Sequence, residues 1–476
     1  MKQNNLLILL LIILGCAVSI TTNTGCANII PPSGGPKDTL APVLQQARPA
    51  DSTRRFTGDR IVLTFDEYVQ LDNPTENLIV SPTPKVAPQI ESKLRTVTVR
   101  IKDTLQPNTT YSINFGNAIK DINENNVLKN FVYVFSTGNT IDSLQVSGKV
   151  IVAETGKTDS TLIVGLYTNF GDSAVVKEKP RYITRVNRDG AFTFHNLPAN
   201  NYAIFAMKDE GSSKKYISRN QLFAFSDSTV RSSLTPTPVT LYAFVAKEEE
   251  RPQSKPKPAA PKAQPSKNTA NDRRLRITNS LTGGEQDLLT NLEIEFKTGP
   301  YKYFDSTKVH FTTDAYQPIK GYHFVRDTSN EKITLVYQWT PDTHYKLILD
   351  STFAEDTVGR RLLRTDTITI HSKKESDYAS VRLRFMNLDL SENPVLQFIQ
   401  SDKVVKSYVF TSREFSSKLF LPGEYELRIL LDKNKNGIWD TGEYFAHPRI
   451  QPERVIPVPR KVNIKVNWEN EIDITL

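Results

Sequence analysis

"RIVLTFDEYV", residues 60–69, alternates apolar and polar side chains with a period of two. This period is typical of a β-strand with one buried face, because successive side chains of a strand point to opposite sides of the sheet. The same alternation recurs in "TVTVRI" (96–101), "TYSINFG" (110–116) and "NFVYVFSTG" (130–138), and clusters of Asn, Pro, Gly and Asp separate the runs. The pattern predicts a β-sandwich over residues 40–140, which we call module A.

A second unit of the same class follows over residues 141–246. Its centre is "DGAFTFHNLPANNYAIFAMKDE" (189–210), in which a Gly turn, a strand, a Leu-Pro turn and another strand succeed one another. The apolar stretch "TLYAFVAK" (240–247) ends it. We call this predicted β-sandwich module B.

Residues 247–271, "KEEERPQSKPKPAAPKAQPSKNTAN", contain almost no apolar side chain beyond Ala and Pro. Such a segment cannot bury a core, and its composition predicts an extended linker. Proteolysis is expected to cut first in this linker and to leave two stable halves. A basic contact with an anionic surface is the alternative, and the three consecutive acids at 248–250 oppose it.

The pattern before the linker repeats after it. The later stretches 291–311, 332–372 and 415–434 align in order with 60–80, 96–137 and 190–209. The repeat predicts module A′ at 272–373 and module B′ at 374–476. The predicted fold class is therefore all-β, with tandem sandwiches in an A-B-linker-A′-B′ arrangement.

The N-terminal residues indicate export. The apolar run Leu6–Ile20 is too short to predict a membrane span, so a signal peptide over 1–25 is favoured. Cys16 and Cys26 each follow a Gly, as in a bacterial lipobox. Lipidation of Cys16 would leave Cys26 as an odd thiol in an oxidising compartment, which favours Cys26 as the lipidated residue. Residues 26–39 are then a Pro/Gly-rich tether, and an ordinary signal peptide without lipid is the alternative.

Motifs that indicate catalysis or nucleic-acid binding are missing from the sequence. The six histidines fall at no metal-ligand spacing, and no G-x-S-x-G, P-loop or G-x-G-x-x-G is present. The net charge of +8 comes without a basic helix or an aromatic-basic RNA motif. The sequence therefore predicts a protein that is not an enzyme and binds no nucleic acid.

One stretch has the spacing of a calcium loop: "DKNKNGIWDTGE", residues 432–443. An EF-type loop takes oxygen ligands at positions 1, 3, 5, 7, 9 and 12, with Gly at position 6 for the bend. The predicted ligands are Asp432, Asn434, Asn436, Ile438 through its backbone carbonyl, Asp440 and Glu443.

The residues on either side of this loop read as strands, so we expect it to join two strands of one sheet. A weak structural Ca²⁺ site is predicted, with a dissociation constant on the order of 10⁻⁴–10⁻³ M. Asp432→Asn and Glu443→Gln are each expected to remove most of the calcium-dependent rise in melting temperature and to leave the metal-free melting temperature almost unchanged. A plain Asx-rich hairpin without metal is the alternative.

Three stretches of module A carry a family resemblance: "RIVLTFDEYV", "LQPNTTYSINFGNAIKDINEN" and "FVYVFSTG". They resemble the bacterial Ig-like domains first named in S-layer proteins. Module B resembles transthyretin-like or carboxypeptidase-regulatory-like sandwiches through "VSGKV" and "DGAFTFHNLPANNYAI". The tether "CANIIPPSGGPKDTLAP" is similar to the start of a group of Bacteroidetes lipoproteins. Module A′ departs from the Ig-like pattern, because "FKTGPYKYFD" stands where "FDEYV" is usual.

The resemblances imply a fold and say little about activity. Together with the predicted lipid anchor and the missing catalytic motifs, the row of sandwiches predicts a lipid-anchored protein of the outer membrane that acts as an interaction scaffold or accessory subunit for an envelope protein partner. The absence of an acidic run after Cys26 favours the periplasmic face over the cell surface. The alternative is a surface glycan-binding or adhesive lipoprotein. A glycan binder is expected to expose aromatic rings on one face, and the tryptophans are Trp339, Trp439 and Trp468.

Overall fold

The computed structural model describes residues 37–247 and 274–476. The predicted signal peptide, Cys16, Cys26, most of the tether and nearly all of the linker lie outside these ranges. The chain divides into two compact units, the first ending at Ile141 and the second spanning Asp142–Leu476. In the described ranges no helix is both long and apolar enough to cross a bilayer.

The first unit is a sandwich whose main sheets have the strand orders β1-β2-β6-β5 and β4-β7-β9, with β3 and β8 forming a separate pair. A four-residue helix, α1, spans Pro74–Asn77. The strands are β1 Leu44–Arg48, β2 Arg60–Phe65, β3 Val69–Leu71, β4 Ile79–Ser81, β5 Gln89–Lys93, β6 Thr96–Arg100, β7 Thr110–Asn114, β8 Ile119–Asp121 and β9 Val132–Ser136.

The core of this unit follows from the alternation seen in the sequence. Ile61, Leu63 and Phe65 on β2 are fully buried, and they pack with Tyr133 and Phe135 of the opposite sheet. Each side chain of this kind stabilises the fold by roughly 1.5–3 kcal/mol on full burial. The alternating positions of β2 therefore form one inner face of the sandwich.

The second unit begins with module B, which pairs a three-stranded sheet of order β13-β10-β17 with a sheet of order β12-β11-β14-β15. A short strand, β16, also pairs with β14, and β10 and β17 run parallel. The strands are β10 Leu144–Val152, β11 Leu162–Tyr167, β12 Tyr182–Arg185, β13 Ala191–Leu197, β14 Asn201–Lys208, β15 Phe223–Phe225, β16 Val230–Arg231 and β17 Val239–Ala243. Helix α2 spans Ala174–Lys177, and a 3₁₀ turn spans Glu210–Ser212.

Module A′ has sheets of order β18-β20-β24-β23 and β19-β27-β25-β22, with β21 and β26 as a separate pair. A 3₁₀ turn spans Ser306–Lys308. The strands are β18 Ile277–Asn279, β19 Glu285–Gln286, β20 Leu292–Phe296, β21 Tyr301–Phe304, β22 Val309–Thr313, β23 His323–Arg326, β24 Lys332–Val336, β25 His344–Leu349, β26 Ala354–Asp356 and β27 Asp366–Ser372.

Module B′ has sheets of order β31-β28-β35 and β30-β29-β32-β33, with β34 also paired to β32. The 3₁₀ turns are Glu375–Asp377 and Leu390–Glu392. The strands are β28 Ala379–Met386, β29 Pro394–Gln400, β30 Lys403–Val409, β31 Glu414–Phe420, β32 Gly423–Leu431, β33 Arg454–Pro457, β34 Val462–Ile464 and β35 Glu469–Thr475.

The strand orders repeat as the sequence does. Sheet β1-β2-β6-β5 of module A has its counterpart in β18-β20-β24-β23 of module A′, and the pair β3-β8 in β21-β26. In module B the parallel pair β10 and β17 has its counterpart in β28 and β35 of module B′. The all-β fold class of tandem sandwiches is confirmed.

A buried aspartate closes the acidic loop of module A and of module A′. Asp121, at the end of β8, accepts backbone N–H bonds from Glu124, Asn125 and Asn126 at 2.6–2.9 Å. Burial opposes ionisation of this carboxyl, yet these donors hold the pKa of Asp121 below its usual range. Asp356 occupies the matching end of β26 and pairs with Arg360 at 2.6 Å. Both loops are therefore organised by a charge-assisted turn.

Candidate functional site

The calcium-type sequence lies in a long loop, residues 432–453, that connects the neighbouring strands β32 and β33 of module B′. Asp432 begins the loop and is almost fully buried. Its carboxylate accepts backbone N–H bonds from Lys435 at 2.7 Å and from Gly437 at 2.6 Å. Gly437 has φ +77°, a left-handed conformation that suits glycine. The start of the loop is therefore a tight Asx-type turn.

Asp440 contacts two more of the predicted side-chain ligands. One of its carboxylate oxygens, Oδ2, accepts the side-chain amides of Asn434 at 2.6 Å and Asn436 at 2.7 Å. The oxygen Oδ1 of Asn436 in turn accepts the backbone N–H of Ile438 at 2.7 Å. The structure thus brings Asp432, Asn434, Asn436 and Asp440 into one network of oxygen-bearing side chains, and the side chain of Ile438 points outward, 67% exposed.

Glu443, the ligand predicted at position 12, faces module B. Its Oε2 pairs with Nη1 of Arg219 at 3.1 Å, and its Oε1 accepts the backbone N–H of Phe445 at 3.2 Å. Both carboxylate oxygens therefore have protein partners, and an ion at the loop would compete with Arg219 for this carboxylate. Asp432 and Glu443 also serve the metal-free fold, so their substitution is expected to lower the metal-free melting temperature.

Glu453 is an organising residue that sequence reasoning missed, because it lies ten residues beyond the twelve-residue pattern. It is 4% exposed, and its carboxylate accepts the backbone N–H groups of Lys433 at 2.7 Å and Asp440 at 3.0 Å. Its backbone carbonyl accepts the indole N–H of Trp439 at 2.9 Å. Glu453 therefore ties the two ends of the loop together. In the part of the chain that the structure describes, no group of three His, Cys, Asp or Glu side chains is arranged to hold a metal ion.

The second half of the loop inserts an aromatic residue into module B. Tyr444 is 2% exposed and packs edge-on against Phe205, Phe223 and Phe225, with ring centroids 5.2–5.6 Å apart. These rings belong to β14 and β15. They explain why β14 lacks the usual alternation of burial, since Tyr444 of B′ covers Phe205 on its outer face while the module's own core covers the inner face.

Polar contacts surround this aromatic anchor. Arg449 pairs with Asp172 of module B and lies over the Tyr444 ring, 4.6 Å from its centroid. The Thr441 hydroxyl donates to the Val245 carbonyl at 2.5 Å. These contacts fix the orientation of the loop on module B and strengthen the packing of the two modules.

The backbones of the two modules also touch. The N–H of Val455, on β33, donates to the carbonyl of Ala153 in module B at 3.1 Å. Gly156 lies against this strand: a Cβ there would stand 2.4 Å from Cδ of Pro457 and 2.8 Å from the Val455 carbonyl. Gly442 packs in the same way, with its Cβ position 2.8 Å from the Phe244 ring. Glycine at these two positions allows the close approach.

Burial has an electrostatic consequence for the anchor. Loss of solvent raises the pKa of the Tyr444 hydroxyl to about 12, with Arg449 acting in the opposite sense and Asp172 in the same sense. The hydroxyl therefore stays neutral and able to donate throughout the physiological pH range. It donates a long hydrogen bond to the Asp172 carbonyl, at 3.4 Å.

Two histidines that are far apart in the sequence lie side by side on neighbouring strands. His344 on β25 is opposite His371 on β27, and their rings stack with centroids 4.2 Å apart and planes 8° apart. Nε2 of His371 lies 3.0 Å from Oδ1 of Asp342. Because the two rings are parallel, their nitrogen lone pairs lie in parallel planes and do not converge on one ion. Register between distant strands, which no local motif encodes, creates this pair.

Residues 38–137 match the sequence profile of the bacterial Ig-like domain. This match agrees with the resemblance expected for module A and with the sandwich formed by β1–β9. It ends at residue 137 and does not extend to the second unit. No curated protein matches the chain.

Solved structures align with the chain at low similarity. The Bacillus anthracis TIE protein is 11% identical, with 94% of this chain and 75% of that chain covered at a TM-score of 0.15. The S-layer protein rSbsC(31-844) is 11% identical, with 91% of this chain covered at a TM-score of 0.15. The present chain spans about half of that S-layer chain, 54% of its length. At such TM-scores the likeness carries no argument about function.

Proposed function

We propose that the protein is a non-enzymatic, lipid-anchored component of the cell envelope that acts as an interaction scaffold at the outer membrane. The observation that supports this most is the interlocking of modules B and B′. A buried tyrosine, several ion pairs and a backbone hydrogen bond join modules B and B′. One of these ion pairs, between Arg219 and Glu443, links residues that are 224 positions apart in the sequence. Such a junction gives a rigid platform on which partner-binding surfaces keep fixed positions.

The anchor of this scaffold is proposed to be a lipid on Cys26. Cys26→Ser is expected to abolish acylation and to move the protein from the membrane fraction to the soluble fraction, because a multiply acylated N-terminus anchors stably. The matched control is Cys16→Ser, which is expected to leave the protein in the membrane fraction. Mass spectrometry of the mature N-terminus checks the assignment, and a diacylglycerol on Cys16 contradicts it.

The proposed partner is an envelope protein held by the scaffold at the periplasmic face of the outer membrane of a Bacteroidetes-like bacterium. Native purification of the protein from solubilised envelopes, followed by mass spectrometry, tests this function. The expected result is one integral partner at a fixed ratio that remains after a high-salt wash. Recovery of the protein alone from cells that contain it at native abundance contradicts the scaffold role.

The glycan-binding alternative gains no support from the tryptophans. Trp339 is 5% exposed, and Trp439 packs on the small apolar cluster of Val395, Leu430 and Val455. Trp468 is 61% exposed, but the Lys465 ammonium lies 4.8 Å from its ring centroid. A sugar would have to displace that lysine before it could stack on the ring.

We also propose that the 432–453 loop binds Ca²⁺ through Asp432, Asn434, Asn436, Asp440 and the Ile438 carbonyl, with Glu443 completing the shell only if it leaves Arg219. Millimolar Ca²⁺ is expected to raise the melting temperature, and Mg²⁺ to do so less, because Ca²⁺ tolerates an irregular oxygen shell. At ten times the dissociation constant the stabilisation is about 1.4 kcal/mol, a shift of roughly 2–4 °C or less for a unit of this size.

The control compares each variant with its own metal-free state, since these side chains also hold the loop. Asp440→Asn is expected to remove most of the calcium-dependent shift. Arg219→Gln is expected to enlarge that shift, because it frees the Glu443 carboxylate. A melting temperature independent of Ca²⁺ up to about 10 mM, above the range expected for extracellular modules, identifies the loop as a metal-free hairpin.

A further inference from the structure

The Ig-like unit contains a cavity of about 460 Å³ at one side of its sandwich. Its walls include Val80, Ile113 and Phe135 from the sheet β4-β7-β9, and Ile101, which follows β6. The loop that connects β4 to β5, residues 82–88, forms the roof. Close-packed protein interiors leave few voids larger than a water molecule, whereas ligand sites commonly measure about 300–1,000 Å³. The cavity therefore has the size of a small-molecule site.

The roof is rigid and poor in hydrogen-bond donors. Pro82, Pro84 and Pro88 all line the cavity, and Pro107 lines it from the other side. Proline has a fixed φ and no backbone N–H. An added peptide strand would find few donors to pair with here, whereas a ligand with an aliphatic chain needs none. The walls favour an apolar ligand over an extended peptide.

The polar groups of the cavity favour a negative charge on that ligand. Lys85 and Lys102 are both exposed lining residues, and neither makes an ion pair within the described part of the chain. The one acid, Asp103, already accepts the backbone N–H groups of Lys85 at 2.6 Å and Thr104 at 2.9 Å.

We propose that this cavity binds an amphiphile with an aliphatic chain and a carboxylate head group. The chain packs against Val80, Ile101 and Ile113. The carboxylate lies at the mouth, where the exposed Lys85 and Lys102 line the cavity. Such a ligand buries the apolar walls and pairs its charge with the two lysines.

Isothermal titration calorimetry with dodecanoate, below its critical micelle concentration, tests the proposal on the full chain carrying Cys26→Ser. One dodecanoate per chain is expected to bind with a micromolar dissociation constant. Dodecyltrimethylammonium, which has the same chain and the opposite charge, is expected to bind at least about tenfold more weakly, since two exposed ion pairs together account for about that factor.

The decisive variant is the double substitution Lys85→Glu and Lys102→Glu, which is expected to weaken dodecanoate about tenfold and to narrow the preference between head groups. The matched control is Lys93→Glu with Lys129→Glu, two exposed lysines of the same unit that do not line the cavity. It is expected to leave binding unchanged. Absence of dodecanoate binding, equal affinity for both head groups, or equal losses in the two double variants would each overturn the proposal.

Discussion

Tyr444→Ala is expected to undo the junction between modules B and B′. The substitution removes a side chain that contacts Phe205, Phe223 and Phe225 and leaves an aromatic-lined hole, which typically costs about 3–5 kcal/mol. It also removes the ring beneath Arg449. Module B is then expected to unfold in a thermal transition separate from that of module B′, whereas in the wild type the two modules unfold together.

Tyr444→Phe is the matched control for this prediction. It keeps the ring contacts and loses only a long hydrogen bond to the Asp172 carbonyl, 3.4 Å. A loss below about 1.5 kcal/mol is expected, in line with one neutral hydrogen bond. Differential scanning calorimetry measures both variants. Equal losses for Ala and Phe would mean that the ring is not the anchor.

Gly156→Asn is expected to separate the same modules from the other side of the junction. Its Cβ would stand 2.4 Å from Cδ of Pro457, closer than carbon atoms approach without displacement, and overpacking of this kind costs about 1–3 kcal/mol. Asn is chosen because it tolerates the φ of +68° at this position better than other side chains. The loss of stability in this variant therefore measures the contact of Gly156 with module B′.

Gly211→Asn is the control for backbone strain. Gly211 also has φ +68°, and nothing lies within 4 Å of its Cβ position. It is expected to change stability by no more than about 0.5 kcal/mol, as is usual for surface substitutions. If the two glycine variants lose the same stability by chemical denaturation, strain and not docking explains the effect.

Local sequence was enough to predict the strands and their repetition. The alternation in residues 60–69 places Ile61, Leu63 and Phe65 in the core, and the alignment of 291–311 with 60–80 anticipates that β20, β21 and β22 are equivalent to β2, β3 and β4. These features depend on neighbours two residues apart or on internal similarity. Both are visible in a single chain.

The junction could not be predicted in this way. Tyr444 follows the calcium-type pattern and reads as an ordinary aromatic of a strand, while its contacts lie on β14 and β15, more than 200 residues earlier. Glu443 fits position 12 of a metal loop, yet its partner is Arg219. The spacing of residues in a loop indicates which side chains can turn toward one point. It does not indicate which surface of another module those side chains contact.

The expected outcome of proteolysis changes as a result. The sequence predicts two stable halves after cleavage of residues 247–271. In the structure, contacts of Arg219, Asp172 and Ala153 with module B′ cross between those halves. Cleavage is therefore expected to nick the chain without separating it, because the contacts that hold B on B′ do not pass through the linker.

The most direct test of the junction is light scattering, coupled to size-exclusion chromatography, of a chain cut at a specific protease site placed within residues 251–266. We expect the two fragments to elute together at micromolar concentration with the mass of the uncut chain. The Tyr444→Ala chain, cut in the same way, is expected to elute as two fragments. Separation of the wild-type fragments at that concentration would contradict the claim that the 432–453 loop locks module B onto module B′.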